Sequence, residues 1–240
     1  MQSEEILFSH AIICKYNPAK KDRFEEMYKA VSVRTATKPV VLQYNRFDPT
    51  PFELSLENAL IQILSHIQEI FLDISVMSKM LILIILHLLS SYPHKLRVIY
   101  SEPTTWSPSK EEFLAKKPLL NQGSFISLSS LGVYNVVRTP GLSSIIMQDS
   151  PSILIAFTSS NGQLVNALAN ELNPTLTCLI NAKNYREPWR EQAAIDIQKT
   201  LISGFPMYSN DINCFELLDY QAVFEFLADV YRTNCYSKRI

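Results

Sequence analysis

The chain has 240 residues, 47% of them hydrophobic and 19% charged, with a formal net charge of -1. That is enough chain to bury a sizeable core, and the composition is not that of a disordered protein. The near-neutral charge argues against a protein built to coat nucleic acid, which carries a basic excess.

Ala11 to Tyr16 (AIICKY) is a short apolar run suited to a buried strand. After Pro18, Phe24, Met27, Tyr28 and Val31 recur at the spacing of an amphipathic helix. Pro39 to Tyr44 predicts a second strand, and Leu56, Leu60, Ile63, Leu64 and Ile67 stripe a second helix. Ile70 to Ile74 is a third strand, Ser78 to Ser90 a helix buried on all sides, and Leu96 to Tyr100 a fourth strand. Then Pro103, Pro108, Pro118 and Pro140 interrupt the rhythm. They predict a connector with a short helix near Glu111 to Ala115 and a strand, Val133 to Val137, closed by a Pro140-Gly141 turn. Strands return at Ser152 to Phe157, Leu176 to Ile180 and Ile212 to Leu217, with helices over Gln163 to Leu172, Trp189 to Ile202 and Val223 to Tyr231.

Strands alternating with helices of about ten residues or more imply parallel pairing. The expected class is α/β: a Rossmann-like parallel sheet flanked by helices, in two packed α/β halves. Residues 1–106 form a Rossmann-like βαβ lobe, 107–149 a Pro/Ser-rich connector with a short strand, and 150–240 a second α/β lobe.

Several chemistries lack their residues. The chain has five glycines and no GxGxxG or GxxxxGKS/T, so standard dinucleotide and P-loop phosphate sites are not expected. Cys14, Cys178, Cys214 and Cys235 are widely spaced, without CxxC. That spacing implies no zinc site and a reducing, cytoplasmic compartment, with Cys14 and Cys178 as small buried hydrophobes. The segment MQSEEILFSH does not read as a signal peptide. The greasiest run, Met80 to Leu89, is about half the ~20 residues a bilayer span needs, so no membrane partner is expected. There is no GxSxG elbow and no HExxH, so no catalytic residue is assigned.

The best-placed polar turn is Asp73-Ile74-Ser75-Val76-Met77-Ser78-Lys79, between the third strand and the apolar helix. Ligands of open α/β sheets bind where strands end and helices begin. Asp73 and Ser75 offer acceptors, Ser78 is an N-cap, Lys79 adds charge, and the helix N-terminus carries a positive dipole end. The same residues serve a purely local role if Ser78 only caps the helix and Asp73 only satisfies turn amides. Lys15, in the basic first βα loop, and Glu102, after the fourth strand, are candidate neighbours. Ser159 and Asn161, in the Thr158 to Gly162 turn, are a further candidate anion nest. Arg186, Trp189 and Arg190 follow the Leu176 to Ile180 strand and offer a stacking surface.

The sequence D-I-S-V-M-S-K over Asp73 to Lys79 resembles the D-x-T-G-G-T-K turn of CARF domains, the Rossmann-like sensors of prokaryotic CRISPR defence. Asp73, Ser75, Ser78 and Lys79 match by type, while Val76 and Met77 replace both glycines. Tyr100-Ser101-Glu102-Pro103 and Pro140-Gly141-Leu142 are similar to elements of an uncharacterised bacterial family from defence neighbourhoods. The resemblance implies a non-catalytic ligand-sensing or accessory protein of prokaryotic antiviral defence. It would bind a nucleotide-like small molecule or a protein partner, as a homodimer or hetero-complex, with no cofactor or metal. The alternative is a nucleotide-processing enzyme of N-glycosidase or transferase type using Asp73 and Glu102. A structural subunit with empty sites is the third reading.

Overall fold

In the computed structural model, every strand pair of the described residues runs parallel, as an alternation of strands and helices requires. The structure describes residues 7–17, 23–65, 67–105, 107–120, 151–158, 162–184, 186–202, 204–209, 213–216 and 218–236. The fold is mixed α/β and divides into two units, Met1–Glu102 and Pro103–Ile240.

The first unit runs β1 (Ile12–Tyr16), α1 (Phe24–Ser32), β2 (Val40–Tyr44), α2 (Thr50–Leu64), β3 (Glu69–Asp73), α3 (Lys79–Leu89) and β4 (Lys95–Ile99). β1 pairs with β2, and β3 with β4; among the described residues the two pairs are separate sheets. The single sheet that the sequence suggests is here two parallel ribbons joined through side chains. Their inner faces share one core. Leu42 and Tyr44 of β2, Leu72 of β3, Phe52, Leu56, Leu60 and Leu64 of α2, and Leu81, Ile84, Ile85 and Leu89 of α3 are buried together. Side chains of a strand alternate between faces. Ile12, Cys14 and Tyr16 therefore line this core, and Ile13, itself buried, faces away from it.

The second unit runs α4 (Lys110–Leu120), β5 (Ile153–Phe157), α5 (Gly162–Leu172), β6 (Leu176–Lys183), α6 (Pro188–Ile202), β7 (Asn213–Glu216) and α7 (Tyr220–Tyr236). The sheet order is β5-β6-β7. Thr177 to Asn181 of the central strand are all buried, as expected where both faces of a parallel sheet are covered. One face packs Leu154, Ala156 and Leu179 against Val165 and Ala169 of α5 and Ala193 and Ile197 of α6. The other packs Cys178 and Ile180 against Val230, Phe226 and Leu227 of α7. The expected helix near Glu111 to Ala115 extends to Lys110–Leu120, with Pro118 inside its last turn. The strand expected at Val133 to Val137 and the Pro140-Gly141 turn lie outside the described residues.

The apolar helix departs from its expected burial on all sides. Leu81 is fully buried, yet Leu83 is 42% and Leu86 36% exposed. An eleven-residue helix lodges one stripe in a core, here Leu81, Ile84, Ile85 and Leu89, and Leu83 and Leu86 lie outside that stripe. Leu81→Ala should therefore cost about 2–5 kcal/mol in chemical denaturation. Leu83→Ala should stay within about 0.5 kcal/mol. Equal costs would show that the Leu83 side is covered as well.

Candidate functional site

The turn after β3 is built by its own side chains. Asp73 Oδ1 accepts from the Ser75 amide at 2.9 Å and from Ser75 Oγ at 2.5 Å. Ser75 Oγ in turn accepts the Ser101 amide at 2.8 Å. The Ile74 amide donates to the Ile99 carbonyl at 2.9 Å, extending the β3–β4 ladder. The carboxylate and hydroxyl thus tie the carboxyl ends of β3 and β4 together. Short polar side chains bonding backbone two residues on are the usual way to set such a turn.

Ser78 then starts α3. It is extended, with φ -70° and ψ 151°, and its Oγ accepts the Leu81 amide at 3.3 Å. This is the N-cap read from the sequence. The Ser78 amide donates to the Tyr16 hydroxyl at 2.6 Å. That bond brings the carboxyl end of β1 to the start of α3, so the β1 and β3 ends share one edge. Tyr16 sits edge-on to Tyr44 with ring centroids 5.3 Å apart, and Tyr44 edge-on to Phe52 at 5.2 Å.

Tyr44 has no exposed surface, and its hydroxyl has no hydrogen-bond partner among the described residues. Burial pushes its phenol above the usual range; the Ser78 side chain opposes this and the Tyr16 phenol adds to it. On the same core face, burial pushes the Cys14 thiol up to about 11. At neutral pH it is a thiol, not a nucleophile.

The structure gathers some of the candidate residues and separates others. Asp73, Ser75 and Ser78 stand at the shared edge. Lys79 is the first residue of α3 and exposed, and Glu102 is exposed beside the tethered Ser101. Lys15 goes elsewhere. Alternation turns Tyr16 toward Ser78 and Lys15 to the opposite face, where its ammonium lies 4.2 Å from the Phe24 ring centroid. Ser159 and Asn161 lie outside the described residues. Thr158, beside them, donates to the Ile180 carbonyl at 3.0 Å and to Asn181 Oδ1 at 3.4 Å. Asn181 is 4% exposed, and its Nδ2 has no partner among the described residues. Arg190 ion-pairs with Glu187, lies over Trp189, and donates to the Pro108 carbonyl at 2.8 Å.

Sequence reasoning passed over Tyr16 and Tyr44. The signal was available: a tyrosine ends both β1 and β2, in phase with Cys14 and Leu42, so each carries a polar tip to the carboxyl edge of a buried face. Among the described residues no three His, Cys, Asp or Glu side chains are grouped to hold a metal ion. No described helix is long and apolar enough to cross a membrane. No protein-family model, curated protein or solved structure matches the chain.

Two outcomes follow from the tyrosines. Tyr16→Phe strands the Ser78 amide and should cost about 1–3 kcal/mol, while Tyr44→Phe removes an unpartnered hydroxyl and should be neutral or stabilising at pH 7. Denaturant titrations of both variants decide this; equal losses would contradict it. The pH dependence has a definite sign. An unfolded thiol titrates near 9.0 and the folded Cys14 thiol near 11, so across that window the unfolded chain holds fewer protons. Stability present below pH 9.0 should thus fall as pH rises toward 11, with a smaller fall in Cys14→Ala.

Proposed function

We propose that the first unit is a Rossmann-like, non-catalytic ligand-sensing domain that binds a nucleotide-like molecule at the β3–α3 turn. The resemblance of Asp73 to Lys79 to the CARF turn suggests a sensor or accessory protein of prokaryotic antiviral defence. The observation that carries the reading is the Ser78–Tyr16 hydrogen bond, which puts the carboxyl ends of two parallel ribbons at one edge. Ligands of α/β proteins use such edges. In this reading Lys79 pairs with phosphate, Asp73 accepts from ribose hydroxyls, and Glu102 closes the rim. Tyr16, rather than Lys15, is the contribution of β1.

The enzymatic alternative needs Asp73 as a proton carrier. Its Oδ1 instead accepts two hydrogen bonds from Ser75, which suits a fixed acceptor. Leu83 and Leu86 on α3 favour a protein partner or a second copy over that side.

Calorimetric titration with mono-, di- and cyclic nucleotides tests the binding reading. Lys79→Ala should weaken binding about tenfold, the size of one charge-assisted contact. Asp73→Asn should weaken nucleotides more than inorganic phosphate, in a protein that stays folded. Absence of heat with every nucleotide, in folded and ligand-free protein, would count against a nucleotide sensor. A ligand bound equally well by Lys79→Ala would remove the turn as its site.

A further inference from the structure

The start of α3 is occupied by a side chain of β1. In a capping box the amide of the N-cap residue is taken by a Glu or Gln side chain that reaches back from three positions into the helix. That position in α3 is Leu81, which is fully buried and has no side-chain oxygen to offer. The Tyr16 phenol stands in its place and accepts the Ser78 amide at 2.6 Å. A neutral hydroxyl thus holds a position where helix starts favour a negative oxygen.

A second hydroxyl at the same edge has no use in this state. Tyr44, in register with Tyr16 on the neighbouring strand, lies edge-on to it with ring centroids 5.3 Å apart. Tyr44 has no exposed surface, and its hydroxyl has no partner among the described residues. A buried hydroxyl without a partner destabilises the state that contains it. Two aromatic rings lie against Tyr44: Phe52 has no polar atom, and Tyr16 has a hydroxyl held by Ser78. The group able to satisfy Tyr44 is therefore engaged at α3.

We propose that Tyr16 is a plug on the oxyanion position of α3, and that a phosphate-bearing ligand binds by displacing it. A phosphate oxygen takes the Ser78 amide, and the released Tyr16 hydroxyl pairs with Tyr44. Charge-assisted hydrogen bonds are about twice as strong as neutral ones, so phosphate displaces a phenol from this amide. The inference rests on the nucleotide reading and adds what the ligand must displace. Because Tyr16 belongs to the β1–β2 ribbon and α3 follows the β3–β4 ribbon, the exchange passes the binding event from one ribbon to the other.

The test is calorimetric titration of the full chain with inorganic phosphate and with adenosine monophosphate, in wild-type, Tyr16→Phe and Tyr44→Phe protein. Tyr16→Phe should tighten both ligands about tenfold, because the ligand-free chain loses a bond that the bound chain does not use. Tyr44→Phe should weaken them about threefold through the lost hydroxyl pair. A purely structural Tyr16 predicts no gain in affinity. Binding in Tyr16→Phe no tighter than in the wild-type chain, or unchanged binding in Tyr44→Phe, would overturn the plug and leave the nucleotide reading in place. Binding in Tyr16→Phe alone would support it. No binding to any of the three, in folded protein free of carried-over ligand, would overturn both. Should Tyr16→Phe fail to fold, NMR of the wild-type chain decides. Saturating phosphate should shift the Ser78 amide together with the Tyr16 and Tyr44 ring signals, and binding with both rings unmoved would overturn the proposal.

Discussion

The Tyr16 hydroxyl and the Ser78 amide meet at 2.6 Å, and the arrangement of the first unit turns on that contact. The β1–β2 and β3–β4 ribbons share a core but no ladder among the described residues. Apolar packing is non-directional and tolerates sliding. A hydrogen bond from a helix-start amide fixes position, because that amide has no partner within its own helix. Once it is made, α3 begins beside the end of β1. The Asp73–Ser75–Ser101 chain then holds the ends of β3 and β4 level with it. The polar edge results from those two ties.

The same strand periodicity that builds the edge divides its chemistry. Adjacent residues of β1 serve opposite faces: Tyr16 reaches the turn and Lys15 reaches Phe24. A loop read only as a basic run hides this, because charge composition carries no direction. The period of two does, and once β1 is placed it assigns Cys14 and Tyr16 to the core and Lys15 to α1. The Ser78 N-cap was legible because capping depends on residue type and local spacing. The parallel pairing was legible too, since strands linked by helices leave few other choices.

Other features were not. The exposed side of α3 is invisible in the string KMLILIILHLL, where every position but Lys79 and His87 is apolar. Only the packing reveals that Leu81, Ile84, Ile85 and Leu89 form the buried stripe. The separation of the first unit into two ribbons depends on contacts distant in sequence, and no local pattern encodes them. In the second unit Thr177 and Asn181 are polar residues buried within an otherwise apolar strand. Thr158 answers the Asn181 Oδ1, while Asn181 Nδ2 and the Thr177 hydroxyl have no partner among the described residues, so no apolar pattern in the strand announces them.

Exchange of the Ser78 amide proton tests the central contact most directly. An N-cap amide ordinarily exchanges like an exposed group. Followed by amide NMR, the Ser78 proton should be protected in the wild-type chain and should lose that protection in Tyr16→Phe. The core beneath α3 should be unchanged in that variant, as judged by the amides of Ile84 and Ile85. Rapid exchange at Ser78 in the wild-type chain, unaltered by Tyr16→Phe, would contradict the account.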